Sequence, residues 1–145
     1  MSNTPPSPIH KRFSVAALAL EAASRGVSRD TRLLVQLRAS FLNGCGYCIG
    51  MHTKEASKSG WSERRITILR DTPPGEWRTA DVTDKERLIL EFTDAGTLLS
   101  ETPPSCRENI RERVQNEFGP ETTSDLIAAI TAINMWNRIG ILSGK

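Results

Sequence analysis

The sequence contains no long apolar run, no block of charge of one sign and no even set of cysteines. Its longest stretch without a charged residue, from Ala39 to Thr53, contains Asn43, three glycines and His52, so no segment predicts a transmembrane span. The net charge is only +2, and acidic and basic residues are mixed along the chain. Because no basic cluster with interleaved aromatic residues is present, we expect neither nucleic acid nor a membrane as a partner.

Three cysteines and a polar amino-terminal segment argue against a secreted protein held together by disulfides. The first twelve residues (MSNTPPSPIHKR) lack the basic-then-apolar order of a signal peptide and predict a flexible leader before a single domain over residues 13–145. We therefore expect a cytoplasmic protein. In that reducing compartment a close cysteine pair is more often catalytic or metal-binding than structural.

Residues that favour strands are scarce, whereas residues that favour helices are abundant. The chain has thirteen Leu and twelve Ala against five Val and one Tyr, and no segment alternates with a period of two. Ser28 or Asp30 would cap one helix, Ser62 another, and Thr83 with Glu86 forms a capping box for a third. The Pro- and Gly-rich segment 71–81 predicts a loop. The predicted helices are 13–25, 28–42, 45–60, 62–70, 83–99, 102–118 and 121–141.

The last predicted helix is apolar on most sides between Leu126 and Trp136, which is typical of a buried helix or a subunit contact. The sequence therefore predicts an all-α, single-domain bundle of about six to seven helices, assembled as an oligomer. Beside Trp136, the polar residues Asn134, Asn137 and Arg138 are interpreted as partners of helix ends or of a neighbouring subunit. The alternative is that this group lines the entrance to a pocket.

One motif points to a chemical function: Cys45-Gly46-Tyr47-Cys48, followed four residues later by His52. On a helix, these spacings place both sulfurs and the imidazole on one face. The sulfurs are close enough to form a disulfide, and an imidazole one turn further on can take a proton from a thiol. A position near a helix N-terminus favours the thiolate, the form that attacks peroxides and disulfides. The motif therefore predicts a dithiol redox centre.

The cysteine pair has three other interpretations. The thiols could be inert core residues, although His52 on the same face argues against that. A structural zinc site would need a fourth ligand beside Cys45, Cys48 and His52, and only Cys106 and His10 remain, neither in a segment that suggests a site. A thioredoxin-type domain would require a βαβ framework that the helical pattern does not provide. We therefore predict neither a metal nor a cofactor.

The residues around the cysteine pair resemble a known family. The segment from Leu37 to Gly60 (LRASFLNGCGYCIGMHTKEASKSG) resembles the carboxymuconolactone decarboxylase superfamily, in its alkylhydroperoxidase D-like (AhpD-like) branch. That branch has an arginine and a serine before an Asn-Gly-Cys turn, then CxxC and a histidine four residues on. The tail from Ile133 to Ser143 (INMWNRIGILS) is similar to the same branch, as is, less specifically, the 85–92 helix.

This resemblance implies an all-α fold assembled as dimers, trimers or hexamers, and it implies reduction of hydroperoxides. Cys48 would attack the peroxide, Cys45 would resolve the product as a disulfide, and His52 would relay the proton. A disulfide reductant such as a lipoylated protein or thioredoxin would regenerate the dithiol. The residues alone leave the order of the two cysteines open, because Cys45 is nearer the helix start and Cys48 is nearer His52.

Two positions depart from the family pattern. Active members have a glutamate twelve residues before the first cysteine, where this sequence has Leu33, and the best-known members have a second relay histidine where it has Tyr47. Asp30 and Glu55 are neighbouring carboxylates that could substitute, although each is interpreted first as a solvated cap or surface charge. Loss of a general acid–base group typically lowers a rate by a factor of about 10² to 10⁴.

We therefore predict an antioxidant oxidoreductase that acts as a CxxC-dependent peroxidase or disulfide reductase. The alternative is a non-catalytic redox sensor or interaction protein whose disulfide switches its shape or assembly, with Leu33 marking lost turnover. Decarboxylase chemistry, which the superfamily's name suggests, would leave the dithiol without a role. Cys106 is interpreted as an incidental thiol.

Overall fold

The computed structural model describes residues 4–145, and these form helices and no strand. In chain order the elements are α1 Lys11–Ala23, α2 Arg29–Asn43, α3 Gly46–Lys58, α4 Glu63–Asp71, a 3₁₀ helix Trp77–Thr79, α5 Asp84–Thr97 and α6 Pro104–Ser143. The predicted all-α class is confirmed, and the βαβ framework of a thioredoxin-type domain is absent from the described residues.

Capping side chains begin several helices where the sequence predicts them. Ser28 and Ser62 cap α2 and α4, each accepting a hydrogen bond from the backbone N–H three residues further on. Asp30 lies in the first turn of α2 instead of capping it. Thr83 and Glu86 form the reciprocal capping box of α5. These contacts pair backbone donors that the first turn of a helix leaves without an intrahelical partner.

Gly119 interrupts the helical geometry of α6. Its φ of 82° and ψ of 170° lie in a region that residues with a Cβ atom essentially never adopt. Pro120 follows, and its fixed φ suits the first turn of a new helical segment. The two predicted helices 102–118 and 121–141 therefore correspond to the segments of α6 on either side of this break.

The second helix runs through the centre of the bundle. All eight of its residues from 33 to 40 are buried. On one side Val35 and Ala39 pack with residues of α5 and α6, while on the other Leu34 and Leu37 pack with residues of α3, α4 and α5 and with Trp77. Because α2 is held on all sides, the turn that follows its last residue has a fixed place in the fold.

The segment of α6 after Gly119 is the other central helix. Leu126, Ala129, Ile130 and Ile133 all belong to the cluster that α6 forms with α2 and α5. By length and composition alone α6 could cross a membrane. Within the bundle 44% of its most apolar window is buried, and a core helix passes the same test of length and composition, so no membrane is indicated.

Three details differ from the sequence-based expectations. The predicted loop 71–81 contains the 3₁₀ helix, and Trp77 within it is fully buried. Leu99, the last residue of the predicted helix 83–99, lies beyond the end of α5 and is 55% exposed. Finally, α1 begins at Lys11, two residues before the predicted start of the first helix at Phe13. Residues 1–3 of that leader lie outside the described residues, and the Ser7 N–H donates to the Ser143 carbonyl at 2.8 Å.

The first helix lies on the outside of the bundle. Ala17 is its only buried residue, and it packs mainly against α6. Four large apolar side chains of α1 are exposed: Phe13, Val15, Leu18 and Leu20. The first helix therefore presents several apolar side chains to solvent.

Candidate active site

The cysteine pair lies at the turn between α2 and α3. Gly44 ends α2 with a left-handed φ of 66°, which glycine adopts without strain. Cys45 is the N-cap of α3, and it is joined to Cys48 by a disulfide with the two Cα atoms 5.3 Å apart. The Cys48 N–H also donates to Cys45 Sγ at 3.4 Å. The Cys45 sulfur thus lies at the positive end of the helix, where negative charge is stabilised.

Gly140 of α6 packs directly against the disulfide. A Cβ atom at this position would lie 3.1 Å from Cys45 Sγ and 3.6 Å from Cys48 Sγ. The first of these separations is shorter than an ordinary van der Waals contact. The absence of a side chain on Gly140 therefore provides the space that the bridged sulfurs occupy.

An amide network joins the end of α2 to α6 next to the disulfide. Asn43 donates to Asn134 Oδ1 at 3.0 Å and to Asn137 Oδ1 at 2.9 Å. Asn137 is fully buried and donates to Ser40 Oγ at 3.0 Å, and the Cys45 N–H donates to the Ser40 carbonyl at 3.1 Å. These bonds hold the turn that carries Cys45 against α6. The asparagines are therefore partners of a helix end within the same chain, as their sequence context suggests.

A cavity of about 570 Å³ opens beside the disulfide, between α1, α2, α3 and the end of α6. Cys48 and His52 both line it, whereas Cys45 does not. Leu33, the residue at the position of the family glutamate, lines the same cavity. Trp136 lines it too, and its indole N–H donates to Glu21 Oε2 at 3.1 Å. The polar residues beside it, Asn134, Asn137 and Arg138, do not line the cavity.

The imidazole of His52 is buried and paired with a carboxylate on its own helix. His52 is 5% exposed, and its Nδ1 lies 2.9 Å from Glu55 Oε2. When Nδ1–H donates to that carboxylate, the other ring nitrogen, Nε2, is an acceptor that can take a proton. The Glu55 side chain is 46% exposed. It is therefore a surface carboxylate that also orients the buried imidazole.

The other two sequence candidates are placed differently. Asp30 accepts hydrogen bonds from Trp61 Nε1 at 2.6 Å and from Arg65 at 3.0 Å, and it does not line the cavity. Tyr47 does line the cavity and is 54% exposed. The ammonium of Lys145 lies 5.3 Å from the centroid of the Tyr47 ring.

The arginine that precedes the motif is part of the protein core. Arg38 is 1% exposed and forms a bidentate pair with Asp94, with distances of 2.6 and 3.2 Å. It also donates to the carbonyls of Leu69 and Thr72 at 2.9 and 2.8 Å and lies over the ring of Trp77. Arg38 therefore fixes the packing of α2 and takes no part in lining the cavity.

Several polar residues of the cavity are not anticipated by the motif, among them Glu21, Arg25 and Lys145. Arg29, Arg32 and Gln36 all line it from α2. Their spacing of three and four residues puts them on one face of that helix together with Leu33. These residues could have been found in the sequence, because α2 ends just before Cys45 and one of its faces must therefore lie next to the cysteine pair.

The remaining thiol stands apart from the site. Cys106 is free and exposed near the start of α6, and it does not line the cavity beside the disulfide. Within residues 4–145, no group of three or more His, Cys, Asp or Glu side chains is arranged to hold a metal ion.

These features define a class of small all-helical proteins with a CxxC disulfide at a helix start and a buried histidine beside it. The chain matches the model of the Carboxymuconolactone decarboxylase family over residues 11–75. It is 37% identical over 122 residues to the uncharacterized protein YdfG of Bacillus subtilis (strain 168), covering 82% of this chain and 77% of YdfG. It is 27% identical over 106 residues to the uncharacterized protein YnjA of Escherichia coli (strain K12), covering 72% of this chain and 53% of YnjA.

A solved structure extends the similarity to nearly the whole chain. ATU0492 of Agrobacterium tumefaciens superposes with a TM-score of 0.80 and 33% sequence identity, covering 93% of this chain and 89% of ATU0492. ATU0492 is a protein of unknown function that is described provisionally as the antioxidant defence protein AhpD. The present chain belongs to the carboxymuconolactone decarboxylase family and has the fold of its AhpD-like branch, which confirms the resemblance.

Proposed function

We propose that this protein is a thiol-dependent peroxidase that reduces organic hydroperoxides with Cys45 and Cys48. The observation that carries the proposal is the common cavity of Cys48 and His52, with Glu55 bonded to the imidazole. Its volume of about 570 Å³ is within the range of small-molecule sites. The disulfide between the two cysteines is the product that such a reaction would leave.

In the proposed reaction the Cys48 thiolate attacks the terminal oxygen of a hydroperoxide, ROOH. The S–O bond forms as the O–O bond breaks, which leaves Cys48 as a sulfenic acid and releases ROH once the alkoxide takes up a proton. The Cys45 thiolate then attacks the Cys48 sulfur, so that the S–S bond forms and hydroxide leaves as water after protonation. The two cysteines lose two electrons in total, and the hydroperoxide gains them.

Access to the cavity supports Cys48 as the attacking residue. Cys48 lines the cavity, whereas Cys45 is 1% exposed, does not line it and packs against Gly140. A hydroperoxide in the cavity would therefore meet the Cys48 sulfur first. The N-cap position of Cys45 suits the second step, because it favours the thiolate that attacks the sulfenic acid.

His52 and Glu55 form the proton relay of this proposal. His52 follows Cys48 by one helical turn, so the imidazole can accept the thiol proton and return it to the departing alkoxide. Glu55 orients the ring and stabilises its protonated form. It would thus supply, from α3, the carboxylate that the family pattern places at the position of Leu33.

We also propose a reductant, a cellular location and an assembly for this protein. A dithiol, such as that of a lipoylated protein or thioredoxin, would return both electrons by thiol–disulfide exchange. The exposed Tyr47 beside the pair would contact such a partner. We also propose a cytoplasmic homo-oligomer (a dimer, trimer or hexamer) in which copies cover the exposed apolar side chains of α1, among them Phe13 and Leu18.

The proposal is tested by the rate at which the reduced protein is oxidised by cumene hydroperoxide. Alkylation of the remaining thiols and mass spectrometry identify the bond formed. We expect rapid formation of the Cys45–Cys48 bridge, none in Cys48→Ser, and a rate lowered by about 10²-fold in His52→Ala. The matched control is Cys106→Ser, which removes a thiol outside the cavity and is expected to react at the wild-type rate. Oxidation no faster than that of a free thiol would contradict the proposal.

A redox sensor is the second candidate, and the contact between Gly140 and the disulfide favours it. Because α6 packs against the bridged sulfurs, a change between disulfide and dithiol would be felt by a helix of the core. Under this alternative, oxidation is slow, Leu33 marks the loss of turnover, and the oligomeric state differs between the oxidised and reduced proteins. The oxidation rate and sedimentation of the two forms together separate the candidates: a peroxidase requires fast oxidation, whereas the sensor combines slow oxidation with a change of assembly.

A further inference from the structure

We infer that the hydroperoxide reduced at Cys48 carries a carboxylate group, which Arg29 and Arg32 bind inside the cavity. This inference rests on the peroxidase function proposed above and adds the substrate class. It is carried by polar and charged side chains of α2 that face the cavity and that the reaction itself leaves unused.

Arg29, Arg32 and Gln36 line the cavity, and their side chains have no partner within the described residues. Arg32 is half-buried and Arg29 is exposed, and neither guanidinium forms an ion pair or hydrogen bond within residues 4–145. Gln36 is only 8% exposed, and its amide forms no hydrogen bond in the same part of the chain. The Arg32 guanidinium is held partly out of water without an anionic partner, and a bound carboxylate would supply that partner. This is the reason for assigning Arg32, together with the neighbouring Arg29 and Gln36, to a ligand.

The acidic side chains of the cavity are already engaged. Glu21 lies 3.8 Å from Arg25 and also accepts the indole N–H described above, and Glu55 is bonded to His52. Lys145 lies over the ring of the tyrosine in the CxxC motif. Neither Arg29 nor Arg32 is therefore paired with a carboxylate of the cavity lining, and both remain available to a bound anion. A guanidinium binds a carboxylate through two parallel N–H donors, so this pair suits a carboxylate.

The rest of the lining suits an apolar body between the anion and the peroxide. Leu18, Leu33, Met51 and Ile139 line the cavity together with Trp136. With a rise of 1.5 Å per residue, Arg32 and Arg29 lie about 6 and 10 Å along α2 from Gln36. The two guanidinium groups and the Gln36 amide therefore follow one another along one wall of the cavity. A substrate with an aromatic ring between its carboxylate and its peroxide would suit this combination of charged, polar and apolar lining.

The test compares an anionic and a neutral hydroperoxide that share the same aromatic body: 4-carboxycumene hydroperoxide and its methyl ester. The reduced protein is oxidised by each at low ionic strength, and the second-order rate constants are measured by stopped flow. We expect the acid to react about tenfold faster than the ester, because charge attraction raises the association rate. Added salt should reduce this ratio by screening the arginines.

Substitutions then locate the origin of the preference. Arg32→Gln and Arg29→Gln should each lower the ratio of acid to ester rates, and the double variant should bring it to about one. A purely structural disturbance would slow both substrates equally and leave the ratio unchanged. The matched control is Arg111→Gln, an exposed arginine on α6 that does not line this cavity, and it should retain the wild-type ratio.

The outcomes separate this inference from the function on which it rests. Equal rates with acid and ester in the wild type, or a preference that survives in the double variant, would overturn the carboxylate assignment while leaving the peroxidase intact. If neither hydroperoxide oxidises the protein faster than a free thiol, the peroxidase proposal itself fails, and the substrate class fails with it.

Discussion

The imidazole of His52 is oriented by Glu55 from the same helix, with 2.9 Å between Nδ1 and Oε2. A spacing of three residues brings the two side chains together on one face of α3. The family pattern places a carboxylate on the preceding helix, where this chain has Leu33, whereas the carboxylate bonded to His52 here lies on the cysteine helix itself. If this pair is the proton relay, its parts can be removed and restored separately.

Glu55→Gln should slow oxidation of the reduced protein by an organic hydroperoxide about tenfold. The amide keeps the size of the side chain but removes the charge that stabilises protonated His52, so the general acid–base step is weakened without being lost. Stopped-flow oxidation measures the rate. Glu112→Gln, at an exposed position of α6, is the control and should react at the wild-type rate. An unchanged rate in Glu55→Gln would exclude Glu55 from the relay.

A glutamate at position 33 should compensate for the loss of Glu55. Leu33 lines the same cavity as His52, so we expect Leu33→Glu in the Glu55→Gln background to recover most of the lost rate. Leu33→Gln in that background is the control, because it has the same length without the charge and should recover nothing. Recovery by both variants, or by neither in protein that retains its helical circular dichroism, would mean that the missing carboxylate is not the cause of the slow rate.

Gly140→Ala should destabilise the oxidised protein more than the reduced one. The added methyl would lie 3.1 Å from Cys45 Sγ, and overpacking of this kind typically costs about 1–3 kcal/mol. Free thiols can rotate away from the methyl, whereas bridged sulfurs cannot. Urea unfolding of both forms measures the difference. Gly50→Ala is the control: its Cβ would meet open space on α3, so it should stabilise both forms equally, by up to about 1 kcal/mol.

Asp94→Ala should lower the free energy of unfolding by about 3–5 kcal/mol, because it leaves the buried guanidinium of Arg38 unpaired. Asp94 also accepts the indole N–H of Trp77 at 2.7 Å, so the 3₁₀ helix should loosen as well. Denaturant unfolding followed by tryptophan fluorescence measures both effects. Asp81→Ala is the control, since Asp81 and Arg64 pair with 76% of each side chain exposed, and it should cost at most about 1 kcal/mol. Similar losses in the two variants would contradict a structural role for the buried pair.

Local signals in the sequence were sufficient to predict where most of the helices begin. Ser28, Ser62 and Thr83 begin helices because a capping side chain acts on the backbone three residues away, which depends on nothing distant in the chain. The position of Cys45 at the start of α3 follows from the same local chemistry. Trp77 could not be placed in this way. It lies in a Pro- and Gly-rich segment, and its burial depends on Asp94, seventeen residues further on.

The part of the candidate site that lies on α3 could be predicted from the sequence. Cys45, Cys48 and His52 share a face of α3, so their proximity follows from spacing. The contact of Glu55 with His52 has the right spacing too, but a half-exposed carboxylate has no reason in the sequence to turn inward. The contribution of α2, including Arg32, depends on how two helices pack, and that packing is set by core residues far from the motif.

The break at Gly119 has a consequence for how stability is distributed along α6. Before the glycine only Val114 is buried, whereas beyond it ten residues are buried between Thr123 and Ser143. Local opening is easiest where few apolar contacts are lost. The segment before Gly119 can therefore unfold and refold as a separate cooperative unit while the segment behind the disulfide stays closed. Amide hydrogens of the two segments should accordingly exchange with solvent at different rates, although they belong to one helix.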